Sequence, residues 1–488
     1  MTNPKAKRPE LHPQPIATQQ RFLPDEPILQ VTPDDVLTCR NMFDGTIITG
    51  GSGSGKTSGP GATLAAALLP RAGFLILCAK PGEAELWEKR AEMAGRAADV
   101  RRFAVDQPYR INLLDYAFRQ PGADRGGNDP QNVVDLLMRL QEVKTGQGAA
   151  AGGESAFWIS SSRQVKTAAV SLLGAAGEPI TFDAINAVID SAPYSPDDIT
   201  SPKWQSSSYF NSLLDPIAAR ESRLTAVQRN DARVAMEFFV SRFARLDPRT
   251  RSGILATIQS IIWPFLCGPS AELCGTTTNL TPEDIFRGRI VILDLPIKLY
   301  HESGLLIQTC WKLLFQRAAE ARDLSRYPLP VCLWADEAQH FTTSYDSLFQ
   351  ATARSSRVAT VYLTQTLDSL RARFPGPSGD AEVQSLISNL ANKIMCANDH
   401  AATNKFASDA IGQTWITQMN SSASISNEGN MTAGGGTSAS RRYRLEPSEF
   451  LKLRRGGPDG VVDAIMFRAG TPFRATNTNH LRLAFRQG

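Results

Sequence analysis

A glycine-rich loop constrains this sequence more than any other feature. Residues 50–57 read Gly-Gly-Ser-Gly-Ser-Gly-Lys-Thr and fit the phosphate-loop pattern G-x-x-x-x-G-K-[ST]. The apolar run 46–49 before the loop predicts a buried strand, and the Ala/Leu-rich run 62–69 after it predicts a helix. This strand–loop–helix context favours a nucleotide-binding loop over a flexible Gly/Ser linker.

The pattern assigns a role to each part of the loop. Its glycines let successive backbone N–H groups turn towards a phosphate, and the positive end of the following helix adds to the attraction. Lys56 is expected to reach the β- and γ-phosphates, and the Thr57 hydroxyl to bind Mg²⁺. The predicted nucleotide-binding residues are Gly50, Gly51, Ser52, Gly53, Ser54, Gly55, Lys56 and Thr57.

Length and composition bound the class of protein. A chain of 488 residues with 42% hydrophobic residues is expected to form two or three globular domains. Its net charge of +4 neither requires nor excludes nucleic acid as a partner. The seven cysteines are scattered, mostly within apolar runs, which predicts buried thiols in a reducing compartment rather than disulfides.

Hydropathy predicts no intrinsic membrane span. The longest apolar runs, 253–266 and 305–315, are too short or are interrupted by polar residues, and the N-terminus has no apolar signal core. The sequence therefore predicts a cytoplasmic protein that is attached to a membrane at most peripherally.

Alternating strands and helices predict an α/β fold with a mainly parallel sheet. The strands are predicted at 73–80, 99–105, 289–294, 329–337, 358–365 and 461–467. Residues 120–251 have helical periodicity alone and predict an all-α insertion, so that 31–119 and 252–488 form the nucleotide-binding domain. Residues 1–30 predict a disordered arm, and the Ser/Gly-rich residues 420–440 predict a flexible loop.

An arginine-rich segment lies within the predicted insertion. Residues 220–251 contain eight arginines and four acidic residues. Such a run is typical of a solvated helix face with i,i+4 ion pairs, and this interpretation is preferred. A contact with DNA or with another subunit is the alternative.

Two predicted strands end in an aspartate, which a phosphate loop needs as a partner. Asp336 is preferred because Glu337 follows it. Asp336 can hold Mg²⁺, and Glu337 can accept a proton from the attacking water. Asp294 is followed by Leu295 and Pro296, and it is interpreted as a strand-end or turn residue.

Further candidates lie after Glu337. Gln365 ends the next predicted strand, and its amide is expected to reach the γ-phosphate or the attacking water. Arg354 and Arg357 lie on the connection between Glu337 and Gln365. A cation supplied to a neighbouring subunit would stabilise charge on the transferring phosphoryl group, while a surface arginine pair is the equally weighted alternative.

Taken in order, several stretches resemble the type IV secretion coupling proteins, the conjugative TraG/TraD/VirD group of DNA-pumping ATPases. The resemblance runs from residue 40 to the C-terminus. It is carried by the phosphate loop, Lys80-Pro81-Gly82-Glu83, residues 111–115, Phe157-Trp158, Asp336-Glu337, Gln365 and residues 387–412.

The resemblance implies a RecA-like motor domain with an inserted all-α domain, ATP and Mg²⁺ as cofactors, and a homohexameric ring. It implies that Arg354 acts in trans, with Arg357 in reserve, and that single- or double-stranded DNA threads the channel. The expected function is ATP-driven delivery of a DNA strand or relaxase–DNA complex to a type IV secretion channel, with the relaxosome and channel components as partners. Members usually begin with transmembrane helices; none is predicted here, so a location peripheral to a bacterial inner membrane is expected.

Two alternative functions stay open. A HerA/FtsK-type ring motor that moves DNA outside secretion would carry the same motor residues. A recruitment receptor that binds secreted proteins according to its nucleotide state would pump nothing. The adjacent carboxylates Asp336 and Glu337 argue against an inactive motor.

Overall fold

The computed structural model describes residues 12, 14–15, 24–121, 127–145, 154–275, 277–374, 379–425 and 431–488. The chain divides into two compact units. The first unit consists of Met1–Leu68, Val361–Leu370 and Leu390–Gly488. The second unit consists of Leu69–Thr360 and Arg371–Asn389.

Fourteen strands and twenty α-helices are found among these described residues. The strands are β1 (Gln14–Pro15), β2 (Pro27–Thr32), β3 (Asp35–Thr38), β4 (Thr46–Thr49), β5 (Gly73–Leu77), β6 (Val100–Phe103), β7 (Ile290–Leu293), β8 (Val331–Ala335), β9 (Val358–Thr364), β10 (Asn392–Cys396), β11 (Gln413–Ile425), β12 (Met431–Tyr443), β13 (Val461–Arg468) and β14 (His480–Arg486). The helices are α1 (Cys39–Phe43), α2 (Ala62–Leu68), α3 (Glu83–Met93), α4 (Leu113–Arg119), α5 (Pro130–Thr145), α6 (Glu154–Ala176), α7 (Phe182–Asp190), α8 (Pro196–Thr200), α9 (Pro202–Ser207), α10 (Tyr209–Ser212), α11 (Leu214–Arg220), α12 (Ala226–Glu237), α13 (Pro248–Ile262), α14 (Gly268–Cys274), α15 (Pro282–Phe286), α16 (Ile297–Ala321), α17 (Ser344–Thr352), α18 (Leu367–Arg371), α19 (Gly379–Asn389) and α20 (Ala401–Ile411).

The first unit is built on a mixed sheet. Strand β4 lies between β9 and β10 and is parallel to both, while β13 pairs antiparallel with β10 and β14 pairs antiparallel with β13. All four residues of β4 are buried, as expected of a strand covered on both faces. An apolar cluster that includes Met395, Ile411 and Phe450 packs against β10 and β13. A central parallel strand therefore carries the phosphate loop at its end.

The second unit contains a parallel sheet in the order β8-β5-β7-β6. Strands β5, β7 and β8 are entirely buried and consist almost wholly of apolar residues. Because parallel strands end at one edge of a sheet, the residues that follow β5, β7 and β8 share that edge. The predicted α/β fold with a mainly parallel sheet is confirmed.

Between β6 and β7, the described residues form helices and turns but no strand. This all-α part extends beyond the predicted range 120–251, from α4 to α15. Residues beyond 251 continue the helices because Ile254, Ile258 and Ile261 recur at helical spacing and are buried in α13. Aromatic rings fill its core; Phe182 and Phe265, for example, stack with centroids 4.1 Å apart. The predicted domain boundaries themselves stay a prediction.

The prediction of a disordered arm over residues 1–30 is wrong for part of that range. Strand β1 pairs with β2, and Nδ1 of His12 lies 2.9 Å from the carbonyl oxygen of Ala484. The buried side chains of Ile28 and Leu29 explain why β2 is ordered. Residues 1–11, 13 and 16–23 lie outside the described part of the chain.

The prediction of a flexible loop over residues 420–440 is also wrong where the chain is described. Strands β11 and β12 form a two-stranded antiparallel sheet that runs in register from the pair Gln413–Tyr443 to the pair Ile425–Met431. Composition misled because a ladder of backbone hydrogen bonds forms without apolar side chains. Residues 426–430 lie outside the described range.

The described residues contain no single helix with the length and apolar composition of a membrane span. The helical segments Pro248–Phe265 and Gly268–Cys274 reach those values only as a pair, and they are bent by 79° relative to each other.

Candidate functional site

The phosphate loop follows β4 in the first unit and is anchored to the ends of both neighbouring strands. The Gly50 N–H donates to the carbonyl of Thr364, at the end of β9, over 3.3 Å. The Gly51 N–H donates over 2.9 Å to the carbonyl of Ala397, just after β10. Gly53 and Gly55 have φ angles of 68° and 79°, which favour glycine. Backbone hydrogen bonds and glycine conformation together shape the loop.

Two glycines of the loop have no room for a side chain. A Cβ atom at Gly50 would lie 2.4 Å from Oγ of Ser54, and one at Gly55 would lie 2.3 Å from Cγ2 of Val462. The Ser54 hydroxyl is buried and has no hydrogen-bond partner among the described residues. An orphaned hydroxyl beside a glycine-lined backbone turn fits a phosphate, whose oxygens would accept its hydrogen.

Lys56 and Thr57 lie at the start of the helix that follows the loop. Lys56 is only 7% exposed, and its positive charge partly offsets the burial that raises the pKa of the Cys396 thiol to about 12. Thr57 begins a π-helical turn, in which the Gly61 N–H donates to the Lys56 carbonyl over 2.9 Å. This turn leads into α2, so the positive helix end faces the loop, as the sequence predicts.

Gln365 follows β9 directly and belongs to the same unit as the phosphate loop. The Nδ2 group of Asn398 donates to the Gln365 carbonyl over 2.9 Å. The Gly50 N–H donates a hydrogen bond to the carbonyl of Thr364, the residue before Gln365, so the backbone brings Gln365 next to the loop.

Asp336 and Glu337 follow β8 in the second unit, and both are buried. The Glu337 N–H donates to Oδ1 of Asp336 over 2.9 Å. Glu337 adopts a left-handed backbone conformation (φ 52°, ψ 47°), which is uncommon for a residue with a side chain. Such strain is often found at functional sites.

Lys80 and Gln339 hold the Glu337 carboxylate, a contact that sequence reasoning missed. Nζ of Lys80 lies 2.5 Å from Oε1 of Glu337, and Nε2 of Gln339 donates to Oε2 over 2.8 Å. Lys80 follows β5, which is parallel to β8, so the shared strand edge brings the two residues together. The sequence signal was the 80–83 motif at a strand end, to which no role had been assigned.

Glu83 is a second residue that the sequence did not assign. Its Oε2 atom accepts hydrogen bonds from the N–H groups of Ala79 and Lys80, at 2.7 and 3.3 Å. The pKa of its carboxyl group is raised to about 7, first by burial and then by the negative charge of Asp336, against the two backbone hydrogen bonds. The turn after β5 therefore places the Lys80 ammonium and the Glu83 carboxyl group close to Asp336 and Glu337.

The other strand-end aspartate has a different partner. Oδ2 of Asp294 accepts hydrogen bonds from Nε and Nη2 of Arg102 at 2.8 and 2.5 Å. This ion pair joins the ends of the neighbouring strands β6 and β7 and agrees with the interpretation of Asp294 as a strand-end residue.

The two candidate arginines differ in their surroundings. Arg357 has a φ of 49°, and its Nη1 donates to the Pro328 carbonyl over 3.0 Å. Arg322 donates to the Arg357 carbonyl at 3.3 Å and also to that of Ser356, which fixes this turn. Arg354 is exposed at the end of α17. Exposure favours Arg354 over Arg357 as a residue that contacts another subunit.

The arginine-rich segment 220–251 forms helices and turns of the all-α part, and most of its arginines are exposed. Arg233 pairs with Glu237 at 3.3 Å in the i,i+4 arrangement. Arg251 lies over the Tyr194 ring and donates to the Tyr194 carbonyl over 2.7 Å. These contacts agree with a solvated helix face.

Comparison with known proteins adds a family match and a fold. Residues 330–455 match the family model described as the TraM recognition site of TraD and TraG. The unbound bacterial conjugative coupling protein TrwBdeltaN70 is similar at a TM-score of 0.59 with 12% identity, over 98% of this chain and 93% of that one. This chain has the fold of a type IV coupling protein. The expected RecA-like fold with an all-α part is thereby confirmed.

Two nucleotide complexes share the coupling-protein fold. Plasmid coupling protein TrwB with ADP and Mg²⁺ gives a TM-score of 0.59 at 12% identity, over 98% of this chain and 95% of that one. TrwB with the non-hydrolysable GTP analogue GDPNP gives 0.56 at 13% identity, over 98% and 96%. No curated protein sequence matches the chain.

Proposed function

We propose that this chain is an ATP-driven DNA translocase, a coupling protein that delivers a DNA strand or a relaxase–DNA complex to a type IV secretion channel. The observation that carries the proposal is the anchored phosphate loop in a chain with the coupling-protein fold. The match of residues 330–455 to TraD and TraG supports conjugation over a ring motor outside secretion.

ATP and Mg²⁺ are the proposed cofactors. TrwB, which shares the fold, has been solved with ADP and Mg²⁺ and with an ATP analogue. The buried Ser54 hydroxyl and the glycine-lined turn fit a polyphosphate. Lys56 would bind the β- and γ-phosphates, and Thr57 and Asp336 would hold Mg²⁺, which neutralises phosphate charge.

The proposed chemistry is phosphoryl transfer to water. Glu337 accepts the proton of the attacking water, and Lys80 and Gln339 fix the orientation of its carboxylate. Gln365 positions the water or senses the γ-phosphate. Arg354 of one subunit stabilises the transition-state charge at the site of its neighbour in a homohexamer.

The proposed setting follows from this activity. DNA, single- or double-stranded, would be moved through the ring, and the relaxosome and secretion-channel components would be the protein partners. The protein would act in the cytoplasm, peripheral to the inner membrane of a bacterium.

Steady-state ATP hydrolysis with and without single- and double-stranded DNA tests the proposal. We expect DNA to stimulate hydrolysis, and Lys56→Ala and Glu337→Gln each to lower kcat by at least about 100-fold, because they remove phosphate binding and the general base. Lys452→Ala, which changes an exposed lysine of the first unit, is the matched control and should retain activity. Unstimulated hydrolysis at low salt, where phosphate contacts are strongest, would contradict DNA pumping by this chain.

A further inference from the structure

The ribbon formed by β11 and β12 is a sheet of its own, with two strands of 13 residues each. A two-stranded ribbon is marginally stable without a partner. Residues 413–445 contain three arginines, Arg441, Arg442 and Arg444, and one acidic residue, Glu428. The ribbon base, defined as residues 413–418 and 437–444, therefore has an excess of positive charge.

One face of the ribbon base combines an aromatic ring with a cation. Trp415 and Arg441 are direct cross-strand partners, so their side chains lie on the same face. Cζ of Arg441 lies 5.1 Å from the centroid of the Trp415 ring, and Trp415 is still 64% exposed. Tyr443 lies two residues from Arg441 and shares this face.

The opposite face also carries positive charge. Arg442 pairs with Thr414, and Arg444 continues the strand through a 3.0 Å hydrogen bond from its N–H to the Gly412 carbonyl. Both arginines are exposed, and Ile416 beside them is 37% exposed. The ribbon base therefore has exposed positive charge on both of its faces.

Asp409, an acidic residue next to this surface, is paired with a cation. Asp409 accepts hydrogen bonds from Lys405 Nζ and from the Tyr443 hydroxyl, both at 2.8 Å. A concave space of about 390 Å³ opens beside the Trp415 ring. It is lined by Asp409, Gly412, Gln413, Thr414, Trp415 and Arg441.

We propose that the ribbon base binds single-stranded DNA, with a base stacked on Trp415 and a phosphate bound by Arg441 on the same face. The strand then passes around the ribbon edge, so that Arg442 and Arg444 bind further phosphates. An exposed aromatic ring beside a run of arginines is the chemistry that binds a single strand without reading its sequence. The inference rests on the proposed function and adds where the strand is held and which form of DNA it is. The positive charge of the ribbon base favours a polyanion, rather than an apolar protein surface, as its ligand.

The salt dependence of binding tests the phosphate contacts. We would measure the affinity of the full chain for a fluorescent oligothymidylate over a salt series. The triple variant Arg441→Ala/Arg442→Ala/Arg444→Ala should reduce the slope of log K against log salt by about 2, because each single-strand phosphate contact contributes about 0.7. The matched control, Arg220→Ala/Arg223→Ala/Arg229→Ala, removes three exposed arginines of the all-α part and should leave the slope unchanged.

The stacking contact is tested separately. Trp415→Ala should weaken oligothymidylate binding about 10-fold, and Trp415→Phe should retain most of the affinity, because a phenyl ring also stacks. Trp263→Ala is the control, since Trp263 is also 64% exposed. Unchanged ATP hydrolysis in the absence of DNA would show that each ribbon variant is folded.

Two results would overturn the assignment. If the wild type binds oligothymidylate and the triple variant keeps its full salt slope, the ribbon base is not the DNA site, while the proposed function stands. If duplex DNA or a protein partner, but not oligothymidylate, loses affinity in these variants, the ribbon binds that ligand instead. Failure of the wild type to bind any DNA would remove the proposed function and this inference together.

Discussion

Both carboxylate oxygens and the backbone N–H of Glu337 have hydrogen-bond or ion-pair partners. One carboxylate oxygen contacts Lys80, the other contacts Gln339, and the backbone N–H is bonded to Asp336. Its left-handed backbone costs on the order of 1 kcal/mol for a residue with a side chain. The surrounding hydrogen bonds offset that cost and fix the direction of the carboxylate.

Glu83 makes the stability of the protein depend on pH. Its pKa of about 7 lies above the ordinary value of 4.5. Between these two pH values, the folded state therefore holds a proton that the unfolded state has lost. The stabilising effect of this proton is present below pH 4.5 and is lost as the pH rises to about 7. We therefore expect Glu83→Gln, which keeps the acceptor for the two N–H groups, to be more stable than the wild type at pH 8 by a margin that shrinks towards pH 5.

Urea unfolding at a series of pH values measures this difference. Glu85→Gln removes one carboxylate from the same helix and is the control, because Glu85 is exposed and pairs with Arg102. A margin between Glu83→Gln and the wild type that stays constant from pH 5 to 8 would contradict the raised pKa.

At the scale of elements, α17 is the segment that joins Glu337 to Arg354, and its start is fastened from two sides. Oε1 of Glu142, on α5, accepts a hydrogen bond from the Ser344 N–H over 2.8 Å. On the other side, the Lys312 ammonium of α16 contacts the Asp346 carboxylate, and both side chains are fully buried. The all-α part and the long helix α16 thus jointly position α17.

Asp346→Ala should lower the free energy of unfolding by about 3–5 kcal/mol, because it leaves the Lys312 charge buried and unpaired. Replacing both partners, as Lys312→Met/Asp346→Leu, should recover only part of that loss, because the Thr343 N–H and the Gln316 amide also lose the Asp346 carboxylate as acceptor. Urea unfolding provides the measurement. Asp409→Ala, which breaks the exposed pair with Lys405, should cost less than about 1 kcal/mol. A similar small cost for Asp346→Ala would show that the buried pair does not stabilise α17.

At the scale of the whole molecule, the proposed ring makes activity a property of pairs of subunits. Arg354→Ala should abolish hydrolysis, as should Lys56→Ala. If Arg354 acts in trans, mixing these two inactive variants one to one restores about a quarter of the interfaces, because one subunit supplies Lys56 and its neighbour supplies Arg354.

ATP hydrolysis by the mixture, after subunit exchange, measures this complementation. Mixing Arg354→Ala with wild type, in which intact interfaces also remain, calibrates the exchange. No recovered activity in the mixture of the two inactive variants, despite exchange with wild type, would show that Arg354 and Lys56 serve the same subunit's site.

The sequence by itself determined the parallel strands β4 to β9 and the glycine-rich loop after β4. A strand buried on both faces must be apolar, and a loop that binds phosphate needs glycines followed by a lysine and a threonine, here Lys56 and Thr57. Both features can therefore be recognised from a short stretch of sequence. Periodicity also located the all-α part, although the helices of α13 to α15 extend beyond the predicted end at residue 251.

Only the tertiary structure decided which side chains meet. Lys80 and Glu337 are 257 residues apart in the sequence, and they pair because β5 and β8 are parallel neighbours with a common edge. The order of β11 and β12 was hidden for a related reason: their ladder is made of backbone groups, which every residue carries, so a Ser/Gly-rich composition does not reveal it. The residue types of a short segment predict its local structure and chemistry, whereas the pairing of distant strands depends on how the whole sheet packs.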